Sequence, residues 1–270
     1  MKYFLILLYP ILLAGLKANA QKEFKKSLSG ITRIEIETET SVRVIKGTGS
    51  EIKIVSGCTD CGDERVNYRT DESSQKEENE KAKGLKAIYP GGTDNTGIGM
   101  IQSQDGGVLK LKDLMSRLKR DGLTITLPSS VALYLDAGAL GHITIDEWTA
   151  ELELKTNTGE IKLKKITGPV TAHSATGNIE ADFSTLNQEA PVSLISSTGD
   201  IEVNLPANTK ASIEMKSVTG GVFSNFDLVK PREDGLKPIS GHKAIAGNIN
   251  NGGVKVSLKA STGNIYLRKK

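Results

Sequence analysis

Thr156-Asn157-Thr158-Gly159-Glu160-Ile161, Ser174-Ala175-Thr176-Gly177-Asn178-Ile179 and Ser196-Ser197-Thr198-Gly199-Asp200-Ile201 are three statements of one phrase, and they decide the fold. Looser copies are Leu140-Gly141-His142-Ile143, Val218-Thr219-Gly220-Gly221-Val222, Ile245-Ala246-Gly247-Asn248-Ile249 and Ser261-Thr262-Gly263-Asn264-Ile265. The seven glycines are spaced by 18, 18, 22, 21, 27 and 16 residues, as in a stacked repeat.

Aligned on the glycine, the copies place Ile143, Ile161, Ile179, Ile201, Val222, Ile249 and Ile265 two positions after it. An unbroken aliphatic column makes sense when successive copies lie in parallel register, about 4.8 Å apart, and stack β-branched side chains into a core. Thr158, Thr176, Thr198, Thr219 and Thr262 precede the glycine and could form a hydroxyl ladder. Glu160, Asn178, Asp200, Asn248 and Asn264 follow it, residue types suited to turns. The glycine itself either takes a positive φ or lets neighbouring rungs approach closely. Rungs of about 16–27 residues predict an all-β, right-handed parallel β-helix or β-solenoid. The competing architecture, an antiparallel sandwich, does not explain the column.

The rest of the chain agrees. Ile34-Glu35-Ile36, Val42-Arg43-Val44, Ile52-Lys53-Ile54, Leu123–Leu127 and Val131-Leu133-Leu135 alternate with period two, as half-buried strands do. Pro128 ends one of them. Residues 57–107 break the rhythm. Asp71–Lys83 is almost wholly polar and is expected as a solvated loop or a loose helix, within a polar loop insertion at 57–107 in a solenoid domain spanning residues 21–270.

The first 20 residues have the form of a secretory signal peptide: Lys2, an apolar run from Phe4 to Gly15, and Ala18-Asn19-Ala20, with cleavage expected between Ala20 and Gln21. Export to the periplasm, the cell surface or the medium follows as the expected localisation. Cleavage removes Lys2 and Lys17, so the 35 basic residues fall to 33 against 32 acids. That balance leaves no electrostatic footprint for nucleic acid. No later stretch has the roughly 18 apolar residues of a transmembrane helix. The oligomeric state is not encoded in any feature of the sequence.

Cys58 and Cys61, the only cysteines, form a possible disulfide in an exported chain, which needs a turn to bring them within reach. A redox pair would need a βαβ context, and structural zinc two more ligands. Other chemistry finds little support. The polar column offers one mixed residue per rung, too sparse for calcium-binding rolls. Only Thr156 and Thr158 pair as an ice-binding face would require. His142, His173 and His242 occupy three different repeat positions. Glu151, Glu153, Glu160 and Lys162 could form the acid–base cluster of a glycan-cleaving β-helix, but alternating charge on a solvated face explains them without function. No catalytic, cofactor-binding or metal residue is assigned, no cofactor is expected, and a non-enzyme is expected. Lys110, Lys112, Arg117, Lys119 and Arg120 are expected to form a solvated face.

From Ile31 to the end the chain resembles the putative-adhesin family of exported bacterial β-strand-repeat proteins, whose domain has no assigned function. The resemblance is carried by Thr158-Gly159-Glu160-Ile161, Ile166-Thr167-Gly168-Pro169-Val170, Thr176-Gly177-Asn178-Ile179 and Ser197–Pro206, by Gly247–Gly253 and Thr262–Lys269, and by Asp94-Asn95-Thr96-Gly97-Ile98-Gly99. It implies a β-helix-like fold and a role in adhesion or at the cell envelope, with a surface protein or a glycan as partner. A glycan-active enzyme or an envelope stress component is the alternative. The family supplies no catalytic residues, and residues 57–107 and the cysteine pair stand outside its pattern.

Overall fold

The computed structural model describes residues 22–58, 81, 84–85, 88–115, 122–228 and 244–270. The expected signal peptide and its cleavage site, Cys61, most of Asp71–Lys83, Arg117, Lys119, Arg120 and His242 lie outside the described residues.

Among the described residues, twenty strands form two sheets of ten. Sixteen of them pair into rungs, each a strand in one sheet followed by a strand in the other. In chain order the rungs are β2 (Arg33–Glu37) with β3 (Val42–Lys46), β6 (Val108–Asp113) with β7 (Leu123–Leu127), β8 (Ala132–Asp136) with β9 (Ile143–Asp146), and β10 (Leu152–Thr156) with β11 (Ile161–Ile166). Then come β12 (Val170–Thr176) with β13 (Ile179–Phe183), β14 (Val192–Thr198) with β15 (Ile201–Leu205), β16 (Ala211–Ser217) with β17 (Val222–Ser224), and β19 (Val254–Thr262) with β20 (Ile265–Lys269). The remaining strands are β1 (Glu23–Ser27), β4 (Glu51–Ser56), β5 (Met100–Asp105) and β18 (Ile245–Ile249).

The sheets read β1-β4-β7-β3-β9-β11-β13-β15-β20-β17 and β18-β16-β19-β14-β12-β10-β8-β2-β6-β5. Rung-to-rung pairing is parallel throughout, which sets the antiparallel sandwich aside. Antiparallel pairing is confined to the ends, at β1–β4, β4–β7, β5–β6 and β16–β18, so both sheets are mixed. These strands cap a parallel stack. Where β17 is too short to cover β20, the Asn225 side chain takes over its pairing. It accepts the Lys269 N–H at 2.6 Å and donates to the Lys269 carbonyl at 3.4 Å.

The aliphatic column is observed in register. Val42, Ile143, Ile161, Ile179, Ile201, Ile265 and Val222 are successive neighbours across the strands. All but Val222, which packs against it half-buried, belong to one core that also takes in Leu133, Leu152, Val170 and Leu194 from the facing sheet. Burying each such side chain contributes about 2 kcal/mol.

Three expectations are corrected. Rungs do not stack in chain order: β19–β20 lies between β14–β15 and β16–β17, and β2–β3 lies between β6–β7 and β8–β9. The copy at Gly247 is no rung either. It lies in β18, opposite Ile213, and Ile249 faces Ala211 within that same sheet, not in the sheet that holds Ile161, Ile179 and Ile201. The phrase there lacks the Thr before its glycine. Also, the stretch 57–107 is not all loop: Met100–Asp105 is strand β5, because Ile98 and Met100 bury themselves against the end of the core.

Candidate functional site

The repeated corner is a structural device. A Cβ added to Gly159 would stand 1.8 Å from the Gly141 carbonyl oxygen, and one on Gly177 2.1 Å from that of Gly159. The contact continues from Gly199 to Gly177, Gly263 to Gly199, and Gly220 to Gly263. Close approach is therefore the general reason for the glycine. Only Gly199 and Gly263, at φ 150° and 145°, add a backbone that other residues avoid.

The hydroxyls bonded inside the stack stand three residues before the glycine, not one. Thr156 donates to the Gly141 carbonyl at 2.7 Å, Ser174 to Gly159 at 3.0 Å, Ser196 to Gly177 at 3.0 Å and Ser217 to Gly263 at 2.7 Å. Thr156, Ser174 and Ser196 are fully buried. The column was visible as a hydroxyl three places before four glycines. The Thr column next to the glycine is exposed instead, with Thr158 and Thr219 donating to carbonyls of the adjacent rung.

The polar column after the glycine is consumed by the corner. The Asn178 side chain accepts the Asp200 N–H, Asp200 accepts that of Asn264, and Asn264 accepts that of Gly221, at 2.7–2.9 Å. His142 accepts the Glu160 N–H at 3.2 Å through Nδ1. Turn chemistry thus accounts for these residues. Among the described residues, no group of three or more His, Cys, Asp or Glu side chains is placed to hold a metal ion.

The four candidate acid–base residues do not come together. Glu153 pairs with Arg33 at 2.8 Å on one sheet, and Glu160 pairs with Lys162 at 2.9 Å at the edge of the other. Lys110 and Lys112 pair with Glu35 and Glu37 on an ordinary solvated face.

On the outer face of the first sheet, one column runs Lys162, Glu180, Glu202, Tyr266, Phe223. Tyr266 and Phe223 stack with centroids 5.3 Å apart, and Arg268 lies over Tyr266 while pairing with Glu202. Asn178, Glu180, Asp200, Glu202 and Tyr266 line a depression of about 100 Å³. Partial burial, together with Glu160 and Glu202, pushes the Glu180 carboxyl above its ordinary value, although Lys162 opposes this. A carboxyl raised by folding favours the fold below its unfolded pKa, and loses that contribution as pH rises through the folded value. Glu180→Gln is therefore expected to melt at or slightly above the wild-type temperature at pH 7 and to lose that advantage at pH 4. A lower melting temperature at pH 7 would contradict this.

A second depression of about 150 Å³ lies at the opposite end, lined in part by Lys22, Ser56, Tyr89 and Asp94. Asp94 accepts N–H bonds from Thr96, Gly97 and Gly99 at 2.8–2.9 Å, which closes the loop Asp94–Gly99 over the core. Burial would raise this carboxyl, but those bonds and the Thr96 hydroxyl outweigh it and hold it below its ordinary value. Its contribution is present above the unfolded pKa and lost as pH falls through the folded one. Asp94→Ala should cost about 2 kcal/mol, read as a lower denaturant midpoint. An unchanged midpoint would deny the loop its capping role.

A capped, two-sheet stack of strand–corner–strand rungs defines a β-strand-repeat protein of solenoid-like architecture. Residues 137–268 match the family model described as Toastrack DUF4097. No curated protein matches the chain. A crystal structure of a putative cell adhesion protein from Clostridium sporogenes ATCC 15579 is 13% identical, aligned over 93% of this chain and 100% of that one, at a TM-score of 0.48. One of a putative adhesin from Bacteroides fragilis NCTC 9343 is 14% identical, over 92% and 96%, at 0.37. Scores at this level carry no inference for this chain. Among the described residues no helix is long and apolar enough to cross a membrane.

Proposed function

We propose that this is a non-enzymatic, adhesin-like protein that meets its partner across an extended outer face of the stack. The observation that carries it is the pair of ten-stranded faces, tiled with side chains at strand spacing. The two adhesin-named structures agree in name with this proposal but do not carry it.

Within the same proposal, residues 1–20 direct export, Cys58 and Cys61 form a disulfide, and the coil winds right-handed, as parallel crossovers do almost without exception. The partner is an envelope protein or a glycan. A glycan-cleaving variant is disfavoured, because Glu153 and the Glu160–Lys162 pair sit on different sheets. An envelope stress or regulatory role stays compatible with the same surface. Labelled protein beginning at Gln21 is expected to bind saturably to intact cells, purified envelope glycan or envelope protein, and to leave the glycan uncut. Cleavage of the glycan, or binding to none of the three, would overturn the proposal.

A further inference from the structure

The rung β16–β17 reaches the stack only through β19–β20, which follows it in the chain. Three features of the slot suit a second arrangement. First, register carries straight through it. Ile213 faces Val256, which faces Val192; Met215 faces Leu258, which faces Leu194; Val222 faces Ile265, which faces Ile201. With β19–β20 withdrawn, β16–β17 meets β14–β15 with the same residues inward.

Second, the connection is long enough for either step. Residues 206–210 join β15 to β16 across two rung spacings. Residues 147–151, also five, join β9 to β10 across one. Third, the buried hydroxyl column fails at the inserted rung. Ala260, a methyl, stands at the position held by Thr156, Ser174, Ser196 and Ser217 in the four rungs β10–β11, β12–β13, β14–β15 and β16–β17, so it has no hydroxyl for the Gly199 carbonyl. Ser217, which now bonds Gly263, is the residue that would supply one if β16–β17 sat directly on β14–β15.

We propose that β16–β17 has two seats: the observed one, and a chain-order seat on β14–β15 taken when β19–β20 leaves the slot. The hydroxyls of Thr156, Ser174, Ser196 and Ser217 fit the chain-order stack. Insertion of β19–β20 is then the last step of assembly and the first to reverse.

Two cysteine pairs in the full chain test this, with bridges mapped by peptide mass spectrometry so that Cys58 and Cys61 stay in place. Neighbouring parallel strands put Cα atoms about 4.8 Å apart, within disulfide reach, whereas two rungs put them roughly 9.6 Å apart, beyond it. Ser196→Cys with Ala260→Cys should bridge in the unperturbed protein, since these positions are direct neighbours. Ser196→Cys with Ser217→Cys should bridge in denaturant well below the unfolding midpoint, while the circular dichroism stays native. Adding Ala260→Ser should slow that second bridge about fivefold by supplying a hydrogen bond to the inserted rung. A 196–217 bridge that forms only in step with global unfolding would overturn the proposal. Should the cysteine variants fail to fold, hydrogen exchange on Ala260→Ser alone decides it. Amides of Val254–Lys269 should open below the global unfolding free energy in the wild type and less often in the variant. Exchange of these amides only by global unfolding would also overturn it.

Discussion

Replacing Gly159 by Ala should lower the melting temperature by about 6–12 °C, the result of at least about 3 kcal/mol of overpacking. The added methyl would stand 1.8 Å from the Gly141 carbonyl oxygen and 2.5 Å from its carbon. Neither atom can rotate away, so two rungs must part and their backbone bonds must lengthen. Gly49→Ala is the control, because its nearest neighbour would be the Glu51 Cγ at 4.0 Å. It should melt within a degree or two of the wild type. Equal melting of both variants would mean that the corner column does not hold the rungs at strand spacing.

Ile179→Asp should prevent folding altogether. The side chain has no exposed surface and lies between Ile161 and Ile201. Losing its burial costs several kcal/mol, and an unpaired carboxylate there adds a desolvation penalty of comparable size or larger. The sum rivals the 5–15 kcal/mol that holds a typical domain together. Ile179→Val, which keeps the column, should cost about 1 kcal/mol. Circular dichroism and thermal melting check both, and a native spectrum with an unchanged melt for the Asp variant would refute the stacked column.

The column through Ile161, Ile179 and Ile201 was legible because seven of the eight rungs place a β-branched residue at the same point on the coil, Leu123 being the exception. Rung order was not. Val222 and Ile265 obey the same pattern, so either fits against Ile201, and nothing local says which one sits there. Gly247 misled for a related reason: a glycine two places before an isoleucine also suits a capping strand that turns back. The buried hydroxyls of Ser174 and Ser196 were visible in the letters but looked like ordinary strand polarity. Only their burial and their bonds to Gly159 and Gly177 give them a role. The Glu180–Tyr266 surface joins rungs 86 residues apart in sequence, through two registers that no short motif encodes.

The antiparallel strands at the ends have a consequence for solubility. A parallel stack with identical residues in line, spaced about 4.8 Å apart, has the geometry of a cross-β fibril, and its open ends would template the next layer without limit. In the sheet that ends in β5 and β18, both outermost strands run against the stack and present an incoming parallel rung with a mismatched edge. The caps therefore let an amyloid-like core exist as a molecule of fixed length.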